Sequence, residues 1–449
     1  MRIILLSSVL LIFACGESLV ELTGDERELY QNHRLLRAYF YHPERIKDYE
    51  EYSGMEIDDM YESLQDYFCG ANHEGECYAR YTFYLPPEET DDKIHDIENT
   101  KKYYSFGFER SRIESDELID TLVVSAVYPI SPAASAGLKR KDRLLSANGI
   151  SLIGLALAAE DSTYLKNDEP FDDSTVFVVL RDGEIKILNA MLKAEVQKPT
   201  VYLDSLEGIP YIRVTEYKVN TNNPDGTYAE FKKVLQEIKG ANTAIMDLRD
   251  NGGGSIWHCT SMAAELIPLN REMLYDVQHY YDKGKGNVIE FSHEYVKDYL
   301  NQEGAGVNIK WIILINRWSA SCSERFTAAV IYNRPYPETV LIGQTSYGKG
   351  IGQVYTKTYL GGLAYITFLQ TYYPNGETFH NIGIPPNIQT DPRDKNAPLD
   401  AAIEIVRGNS GFAAKLSSAP TRTRIYPPER QADNPEPGAY KRVDFPLFH

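Results

Sequence analysis

The chain has 449 residues, which is long for one hydrophobic core and predicts two to four domains. Hydrophobic residues make up 43% of the sequence and charged residues 24%, proportions that are typical of a folded soluble protein. The formal net charge of −18 argues against a nucleic-acid partner, because phosphate binding needs a basic surface.

The first fifteen residues, MRIILLSSVLLIFAC, predict an exported and lipid-anchored protein. One arginine precedes an apolar stretch that is too short to span a bilayer as a helix, as in a secretory signal. The end of this stretch resembles the bacterial lipobox, in which a cysteine is acylated, although Phe13 departs from the usual small residue. We therefore expect residues 1–15 to be a lipoprotein signal peptide and Cys15 to carry the lipid, with ordinary signal cleavage nearby as the alternative. The expected location is the cell envelope, on the periplasmic side or at the cell surface.

The four remaining cysteines fall into two pairs. Cys69 and Cys77 are spaced to close a short disulfide loop in an exported protein, and the sequence leaves this open. Cys259 and Cys322 lie in apolar surroundings and are predicted to be core thiols. Because no CxxC or HExxH spacing occurs, we expect no metal site, and no cofactor is predicted.

Residues 16–100 are predicted to form a small helical N-terminal domain. From about Asp25 to Gln65, apolar and aromatic residues recur at steps of three and four among charged ones. A further helix is expected to begin at Pro86 and Pro87, which are followed by two glutamates that suit the positive end of a helix.

Residues 101–196 consist of short apolar strands separated by turn residues. The glycine in the segment SFGF allows successive backbone N–H groups to point into one concavity, which suits a carboxylate. The later segment SPAASAGLKRKDRLLSANG predicts a short helix and then a strand that enters an Asn-Gly turn. In this order the two features resemble a PDZ domain. The resemblance implies that peptides are bound by Ser105, Phe106, Gly107 and Phe108.

Residues 197–409 alternate between strands and helices, which indicates an α/β layout. Two apolar runs, TAIMDLRDNGGGS and WIILINRW, are predicted to be buried strands, and SERFTAAVIYN is predicted to be a helix. Residues 410–449 are rich in proline and charged residues and are expected to be poorly ordered.

Ser321 and Lys349 are the candidate catalytic pair. A nucleophilic serine needs a base, and a lysine can serve if burial makes its neutral form accessible. Lys349 lies 28 residues after Ser321, a separation over which a helix and a strand return the chain to its starting layer. Gln353 is placed to orient the ammonium group. The glycine run of DLRDNGGGS offers backbone N–H groups that suit an oxyanion hole.

Three segments, DLRDNGGG, NRWSASCSE and GKGIGQ, resemble the signature segments of the carboxyl-terminal processing (tail-specific) proteases, and the resemblance covers roughly residues 25–406. It implies that Ser321 is the nucleophile, Lys349 the base and Gln353 its support. It also implies that the backbone N–H groups of Gly253 and Cys322 stabilise the oxyanion.

Two residues depart from the family pattern. Cys322 replaces a usual alanine, which is tolerable because only its backbone is required, and Gly252 replaces a usual proline. Among the neighbours of the candidate nucleophile, Ser319 and Ser323 are predicted to be a turn residue and a helix cap, and Glu324 to support the first helical turn.

The predicted architecture is multidomain α/β, with a protease core, a β-rich PDZ domain and a helical N-terminal domain. The resemblance to the processing proteases implies that the core is a crotonase-like α/β spiral. The predicted function is a secreted, lipid-anchored serine endopeptidase that cleaves protein or peptide substrates whose free C-terminus the PDZ domain recognises. The alternative is a catalytically inactive, protease-like scaffold that acts as a peptide-binding lipoprotein. The presence of serine, lysine and glutamine together favours the enzyme.

Overall fold

The computed structural model describes residues 22, 24–69, 79–115, 118–152, 171–282, 284–394 and 396–408. Cys15, Cys77 and the segment 410–449 lie outside these residues, so the lipid anchor, the Cys69–Cys77 disulfide and the order of the tail stay predictions. Within the described ranges, no helix combines the length and apolarity that a bilayer crossing would need.

The N-terminal segment is helical, as its periodicity predicts. Its helices are α1 (Asp25–Tyr39), α2 (Ile57–Cys69) and α3 (Pro87–Glu98), with 3₁₀ turns at Pro43–Arg45, Tyr49–Glu51 and Ala79–Tyr81 and a strand β1 (Phe83–Leu85). Leu29, Leu36 and Met60 pack in one buried cluster with residues of two later strands, among them Ile351 and Ile366. Helices α1 and α2 therefore share their apolar core with strands from the C-terminal part of the chain.

The next segment is an antiparallel sheet with a hydrophobic core of its own. Phe106, Leu144 and Phe177 are at the centre of this core. The sheet has the strand order β3-β4-β5-β8-β9, with β6 paired to β5. The elements of the segment are β2 (Lys102–Ser105), β3 (Phe108–Ser115), β4 (Leu118–Val127), α4 (Pro132–Ser135), β5 (Arg143–Ala147), β6 (Ile150–Ser151), β7 (Ser174–Thr175), β8 (Phe177–Arg181), β9 (Glu184–Ile187), β10 (Met191–Leu192) and β11 (Ala194–Gln197).

A mostly parallel sheet forms the centre of the C-terminal part. Its strand order is β12-β13-β14-β17-β18-β21, and every neighbouring pair except β12 and β13 is parallel. The strands are β12 (Val201–Leu206), β13 (Ile209–Val214), β14 (Thr243–Asp247), β17 (Lys310–Ile315), β18 (Thr339–Gly343) and β21 (Ile388–Gln389). Parallel neighbours need crossover connections, and the helices here are α5 (Gly226–Glu237), α6 (Ile256–Ala264), α7 (Cys322–Asn333) and α8 (Ala397–Val406).

A second, antiparallel sheet packs with this layer. It has the order β1-β20-β15-β16, with β19 also paired to β20, so the N-terminal strand β1 joins strands from the C-terminal part. Its other members are β15 (Glu272–Asp282), β16 (Gly286–Tyr295), β19 (Ile351–Lys357) and β20 (Leu363–Tyr372), and a 3₁₀ turn follows at Val296–Asp298. The mixed sheets and helices confirm the predicted multidomain α/β fold, and the domain boundaries stay predictions.

Candidate active site

Two neighbouring parallel strands bring the glycine run and Ser321 together. Asp247, the last residue of β14, pairs in register with Leu314 of β17, so the loops that follow both strands leave the same edge of the sheet. The Ala320 N–H donates to the Asn251 carbonyl at 3.0 Å, and the Ser323 hydroxyl donates to the same carbonyl at 2.9 Å. The loop that carries the glycines is thus bonded directly to the loop that carries the candidate nucleophile.

Ser321 has a strained backbone at the start of α7. Its φ of 55° and ψ of −115° lie in a region that L-residues with a side chain rarely adopt. The close approach of Gly253 fits this geometry, because a Cβ at residue 253 would lie 2.8 Å from the Ser321 Cβ. Ser319, the predicted turn residue, accepts from the Asn316 N–H at 3.0 Å and donates to the Leu248 carbonyl at 2.8 Å.

Glu324 joins the Ser321 segment to the Lys349 segment. Its side chain is buried, with the residue only 1% exposed. Oε2 accepts from the backbone N–H groups of Ser321 at 2.9 Å and Lys349 at 2.7 Å, and Oε1 accepts from the Ser346 hydroxyl at 2.6 Å and the Gly348 N–H at 2.5 Å. The sequence predicted only that Glu324 supports its own helix. A glutamate three residues after a helix cap gives no signal that it also accepts from a segment more than twenty residues away.

Two features of its environment shift the pKa of the Glu324 carboxyl in opposite directions. Burial raises its pKa, and the hydrogen bonds from Ser346, Gly348, Lys349 and Ser321 act against that rise, with burial the larger influence. Four donors converge on two oxygens, which is an arrangement that suits an ionised carboxylate with acceptors only.

Lys349 lies between a glutamine and a tyrosine ring. Its Nζ donates to Gln353 Oε1 at 2.9 Å and lies 4.5 Å from the centroid of the Tyr81 ring. Gln353 Nε2 donates in turn to Thr367 Oγ1 at 3.4 Å. Burial lowers the pKa of Lys349, while the neighbouring Cys322 and Glu324 act to raise it. The net direction is the one that a general base needs.

Ser321 and Lys349 line one cavity. The rest of its lining is part apolar and part polar, formed by Ile256, Cys322, Arg325, Gly350, Ile351, Gly352, Leu369, Thr371 and Phe379. No hydrogen bond joins the Ser321 hydroxyl and the Lys349 ammonium in the described conformation, in which Nζ is directed to Gln353. Catalytic hydrogen bonds are often long before a substrate binds, so this separation is compatible with a role for both residues.

A buried ion cluster fixes the helix that starts at Ser321. Arg325 makes two hydrogen bonds to Asp276 on β15, at 2.7 and 3.0 Å, and also pairs with Glu294 on β16. A planar guanidinium paired through two bonds has a defined orientation. The first turn of α7 is therefore anchored to the antiparallel sheet.

The two predicted oxyanion donors differ in their present partners. The Cys322 N–H, at the first position of α7, has no acceptor among the residues that the structure describes. The Gly253 N–H instead donates to Asn251 Oδ1 at 2.9 Å. In this conformation Gly253 is therefore beside Ser321, as expected, but its N–H is directed at its own loop, because the Asn251 side chain folds back over the glycine run.

The predicted peptide-binding loop is part of the core of its sheet. Phe106 and Phe108 are buried in the cluster around Phe177, so their side chains anchor the loop to the hydrophobic core of the sheet. The Gly107 N–H donates to Ser105 Oγ at 3.0 Å. A Cβ at Gly107, where φ is 77°, would lie 2.4 Å from the Ser131 Cβ, which explains the need for glycine. The N–H of Gly107 is thus engaged, and binding of a carboxylate there requires Ser105 to release it.

Two histidines lie near the glycine run and the lysine loop. His258 Nδ1 accepts from the Tyr228 N–H at 3.1 Å, and burial lowers the pKa of this histidine to about 4. His380 Nδ1 accepts from the Gly350 N–H at 3.2 Å, and burial, with a smaller effect from the Lys349 charge, lowers its pKa to about 4. Both imidazoles are neutral near pH 7 and bond to backbone. Sequence reasoning gave no sign that His380 packs against the lysine loop.

The described residues include one group that could ligate a metal, although the sequence predicted none. Ligand atoms of His42, Glu44 and His279 all lie within 4.8 Å of one another, and His42 Nδ1 is 3.2 Å from Glu44 Oε1. The group joins the N-terminal segment to β15. None of its members lines the cavity at Ser321.

The chain is similar to known proteins over most of its described length. Residues 208–390 match peptidase family S41. The "Probable CtpA-like serine protease" of Staphylococcus aureus (strain COL) is 26% identical over 364 residues, which cover 80% of this chain and 63% of that protein. The protein of the same description from Staphylococcus haemolyticus (strain JCSC1435) is 23% identical over 309 residues, covering 68% and 56%.

The chain thus spans less than two thirds of the length of these relatives. Among solved structures, the photosystem II D1 C-terminal processing protease is 17% identical, with 83% of this chain and 94% of that chain covered and a TM-score of 0.44. The resemblance drawn from the three sequence segments is confirmed by the family match, and residues 208–390 of this chain are a domain of peptidase family S41.

Proposed function

We propose that this protein is a serine endopeptidase in which Ser321 is the nucleophile and Lys349 the general base. The observation that carries the proposal is the shared carboxylate of Glu324, which accepts from the backbones of both residues and so fixes two distant segments at one cavity. The match of the surrounding region to peptidase family S41 supports the same reading.

The proposed reaction begins when Ser321 Oγ attacks the carbonyl carbon of a peptide bond. The serine proton passes to neutral Lys349 Nζ, which then gives it to the leaving amine. Gln353 Oε1 orients Nζ through the 2.9 Å hydrogen bond. Water then attacks the acyl ester, with the same lysine as base, and releases the second product.

Negative charge that develops on the carbonyl oxygen lies beside the N-terminus of α7. The Cys322 N–H and the positive end of the helix stabilise this charge. Gly253 becomes the second donor when its N–H turns from Asn251 Oδ1 toward the oxyanion. Substrate binding provides the reason for that change, because an anionic acceptor attracts an N–H more strongly than a neutral amide oxygen does.

The decisive test is cleavage of an unfolded protein by purified full-length chain. The wild type is expected to produce fragments, and Ser321→Ala is expected to produce none at equal concentration. Ser205→Ala is the matched control for loss of a serine hydroxyl, because Ser205 is exposed on β12, and it should produce the same fragments as the wild type. Fragments that appear equally with Ser321→Ala would disprove the assignment of the nucleophile.

The substrate-binding and anchoring parts of the proposal rest on sequence features. Residues 101–196 are proposed to act as a PDZ-like unit that captures a free C-terminus, supported by an antiparallel sheet with its own core. Cys15 is proposed to anchor the protein in the cell envelope. Labelled fatty acid should enter the wild type and be absent from Cys15→Ala, and equal labelling of both would disprove the anchor.

The rival function, an inactive peptide-binding scaffold, is not favoured. A scaffold has no need to hold a buried lysine ammonium against Gln353 in a cavity that it shares with a strained serine. The cleavage assay separates the two functions directly, since a scaffold would bind peptides and leave them intact.

A further inference from the structure

Two cysteines meet directly beneath the candidate nucleophile. The Sγ atoms of Cys259 and Cys322 lie 2.6 Å apart, and both side chains are buried, at 0% and 1% exposure. This separation is shorter than the contact of two non-bonded thiols and about half an ångström longer than the roughly 2.05 Å of an S–S bond. In the structure both residues are free thiols that are already in register to be joined. We propose that Cys259 and Cys322 form a disulfide that joins α6 to α7, the two helices that follow the loops of the proposed oxyanion hole.

The two cysteines lie at the starts of the two helices that flank the proposed oxyanion hole. Cys322 directly follows Ser321 and carries the N–H that is available to an oxyanion. Cys259 lies in the first turns of α6, the helix that begins directly after the glycine run. Its partner is 63 residues away along the chain. A bond between them ties the start of α6 to the start of α7.

The surroundings of the two sulfur atoms are dry and backbone-lined. Cys259 Sγ lies 3.2 Å from the Ile256 carbonyl, and Cys322 Sγ lies 3.2 Å from the Gly254 carbonyl. Burial raises the pKa of Cys259 well above its usual value, and the adjacent Cys322 adds to the rise. Because the thiolate is the attacking species in disulfide exchange, the folded protein resists oxidation at this site. The bond therefore forms while the chain folds.

The chemistry balances with a disulfide oxidant, either a small-molecule disulfide or a disulfide-bearing oxidoreductase of an oxidising compartment. A thiolate of one cysteine attacks the oxidant disulfide and forms a mixed disulfide with release of one thiolate. The other cysteine then attacks the mixed disulfide and releases the second thiol. Two protein S–H bonds are replaced by one S–S bond, and the oxidant is reduced to two thiols. The exported location expected from the first fifteen residues supplies such an oxidant.

The effect of the bond follows from the distances that an oxyanion hole requires. Its donors must lie about 2.7–3.1 Å from the developing charge, so small relative movements of the two loops weaken it. Glu324 holds the Ser321 loop to the lysine loop through hydrogen bonds. Asn251 holds the Ser321 loop to the glycine run, also through hydrogen bonds and without a covalent link. A disulfide between the N-terminal turns of α6 and α7 limits the movement of the two loops relative to each other. This consequence rests on the proposed peptidase function, whereas the bond itself does not.

The bond can be detected without any substrate. Full-length protein produced in an oxidising compartment is unfolded in guanidinium with iodoacetamide and no reductant, and is then digested with trypsin. Cys259 and Cys322 fall in the separate peptides 250–271 and 318–325, while Cys69 and Cys77 share the peptide 48–80. We expect peptides 250–271 and 318–325 as one linked species that a phosphine separates. Complete alkylation of both peptides without reductant would overturn the proposal.

A thermal and kinetic comparison tests what the bond does. We expect a phosphine to lower the Tm of the wild type by about 5 °C or more, since a bond across a long loop restricts the unfolded chain. Cys259→Ala is the matched control, and any shift that it retains belongs to the Cys69–Cys77 pair. A wild-type shift no larger than that of Cys259→Ala would overturn the stabilising role. For the kinetic test, each protein is unfolded and refolded with or without reductant, so that the buried bond is reduced before the active site forms. The kcat of the reduced wild type should be several-fold below that of the oxidised wild type, whereas the kcat of Cys259→Ala should be the same after both treatments. Equal responses of the two proteins would overturn the role in the oxyanion hole.

Discussion

The backbone N–H groups of Ser321 and Lys349 donate to the same atom, Oε2 of Glu324, at 2.9 and 2.7 Å. Their side chains line one cavity, yet no hydrogen bond connects those side chains directly. The relative position of the candidate nucleophile and base is therefore set through their backbones. A buried carboxylate with four donors can hold two loops rigidly, because releasing any donor would leave a buried polar group unpaired.

This arrangement predicts that Glu324→Gln loses most activity while the chain still folds. The amide keeps the size of the side chain but replaces one acceptor oxygen with a donor, which opposes the N–H and hydroxyl groups around it. We expect a fall in kcat of at least tenfold with little change in KM, together with a loss of unfolding free energy of about 1–3 kcal/mol. Steady-state kinetics and denaturant unfolding measure the two effects.

Glu338→Gln is the matched control, because the Glu338 side chain is 64% exposed and its ion pair with the buried Arg334, at 3.3 Å, lies outside the cavity at Ser321. A merely structural role for Glu324 would lower the stability and leave the pH dependence of kcat unchanged. As a positioning residue for Lys349, Glu324 should instead shift the pH at which activity appears. An unshifted pH profile in a folded Glu324→Gln protein would contradict the positioning role.

Much of the fold and the location of the site follow from the sequence. Apolar runs and glycine positions predict β14, β17 and the loops that follow them, because strand period and turn chemistry are local properties. The convergence of four donors on Glu324, the packing of His380 against Gly350 and the contact of Tyr81 with Lys349 were not predictable. Each joins segments far apart in the chain, and no local pattern encodes which distant partner a side chain meets.

The hydrogen bond from the Gly253 N–H to Asn251 is another contact that the local sequence pattern does not predict. The glycine run predicts backbone without side chains after a buried strand, because local composition determines where side chains are absent. The direction of one N–H group depends on the fold-back of a side chain two residues earlier. Likewise, two cysteines in apolar contexts are correctly predicted to be buried, but their mutual contact depends on the packing of α6 against α7.

The glycine run offers a pair of matched substitutions. Gly253→Ala should abolish activity, because its φ of 110° is unfavourable for alanine and the new Cβ would lie 2.8 Å from the Ser321 Cβ. The expected cost in unfolding free energy is about 1–3 kcal/mol. Gly252→Ala is the control, since no atom lies within 4 Å of a Cβ placed there. Equal activity of the two variants would refute the close approach of residue 253 to the nucleophile.

The proposed PDZ-like unit should bind peptides with a free, apolar C-terminus. Binding requires the Gly107 N–H to exchange Ser105 Oγ for a carboxylate, and a charged acceptor favours this exchange. Amidating the peptide removes the carboxylate and should weaken binding at least tenfold in a calorimetric titration of the Ser321→Ala protein. An amidated peptide that binds as tightly as the free acid would show that this loop does not read a C-terminus.

Lys349 provides the prediction that tests the mechanism itself. Burial lowers its pKa, so the neutral form becomes available at a lower pH than for an exposed lysine. Activity should therefore rise along a single limb as pH increases through the lowered pKa. Lys349→Arg should be nearly inactive because guanidinium stays protonated in proteins, whereas Lys357→Arg, at an exposed site, should retain activity. If Lys349→Arg kept more than about a tenth of the wild-type kcat, a loss below ~1.4 kcal/mol, the lysine would not be the base.

The same shift in the pKa of Lys349 has a signature in stability that needs no substrate. Between the lowered folded value and the usual value near 10.4, the unfolded chain binds a proton at this lysine and the folded chain does not. The free energy of unfolding must then increase with pH across that interval. Lys349→Met removes the titrating group and keeps much of its length, so the difference in unfolding free energy between wild type and Lys349→Met should change in favour of the wild type as pH rises. A difference that stays constant with pH would mean that the folded protein does not lower the pKa of this lysine, and the base would have to be sought elsewhere.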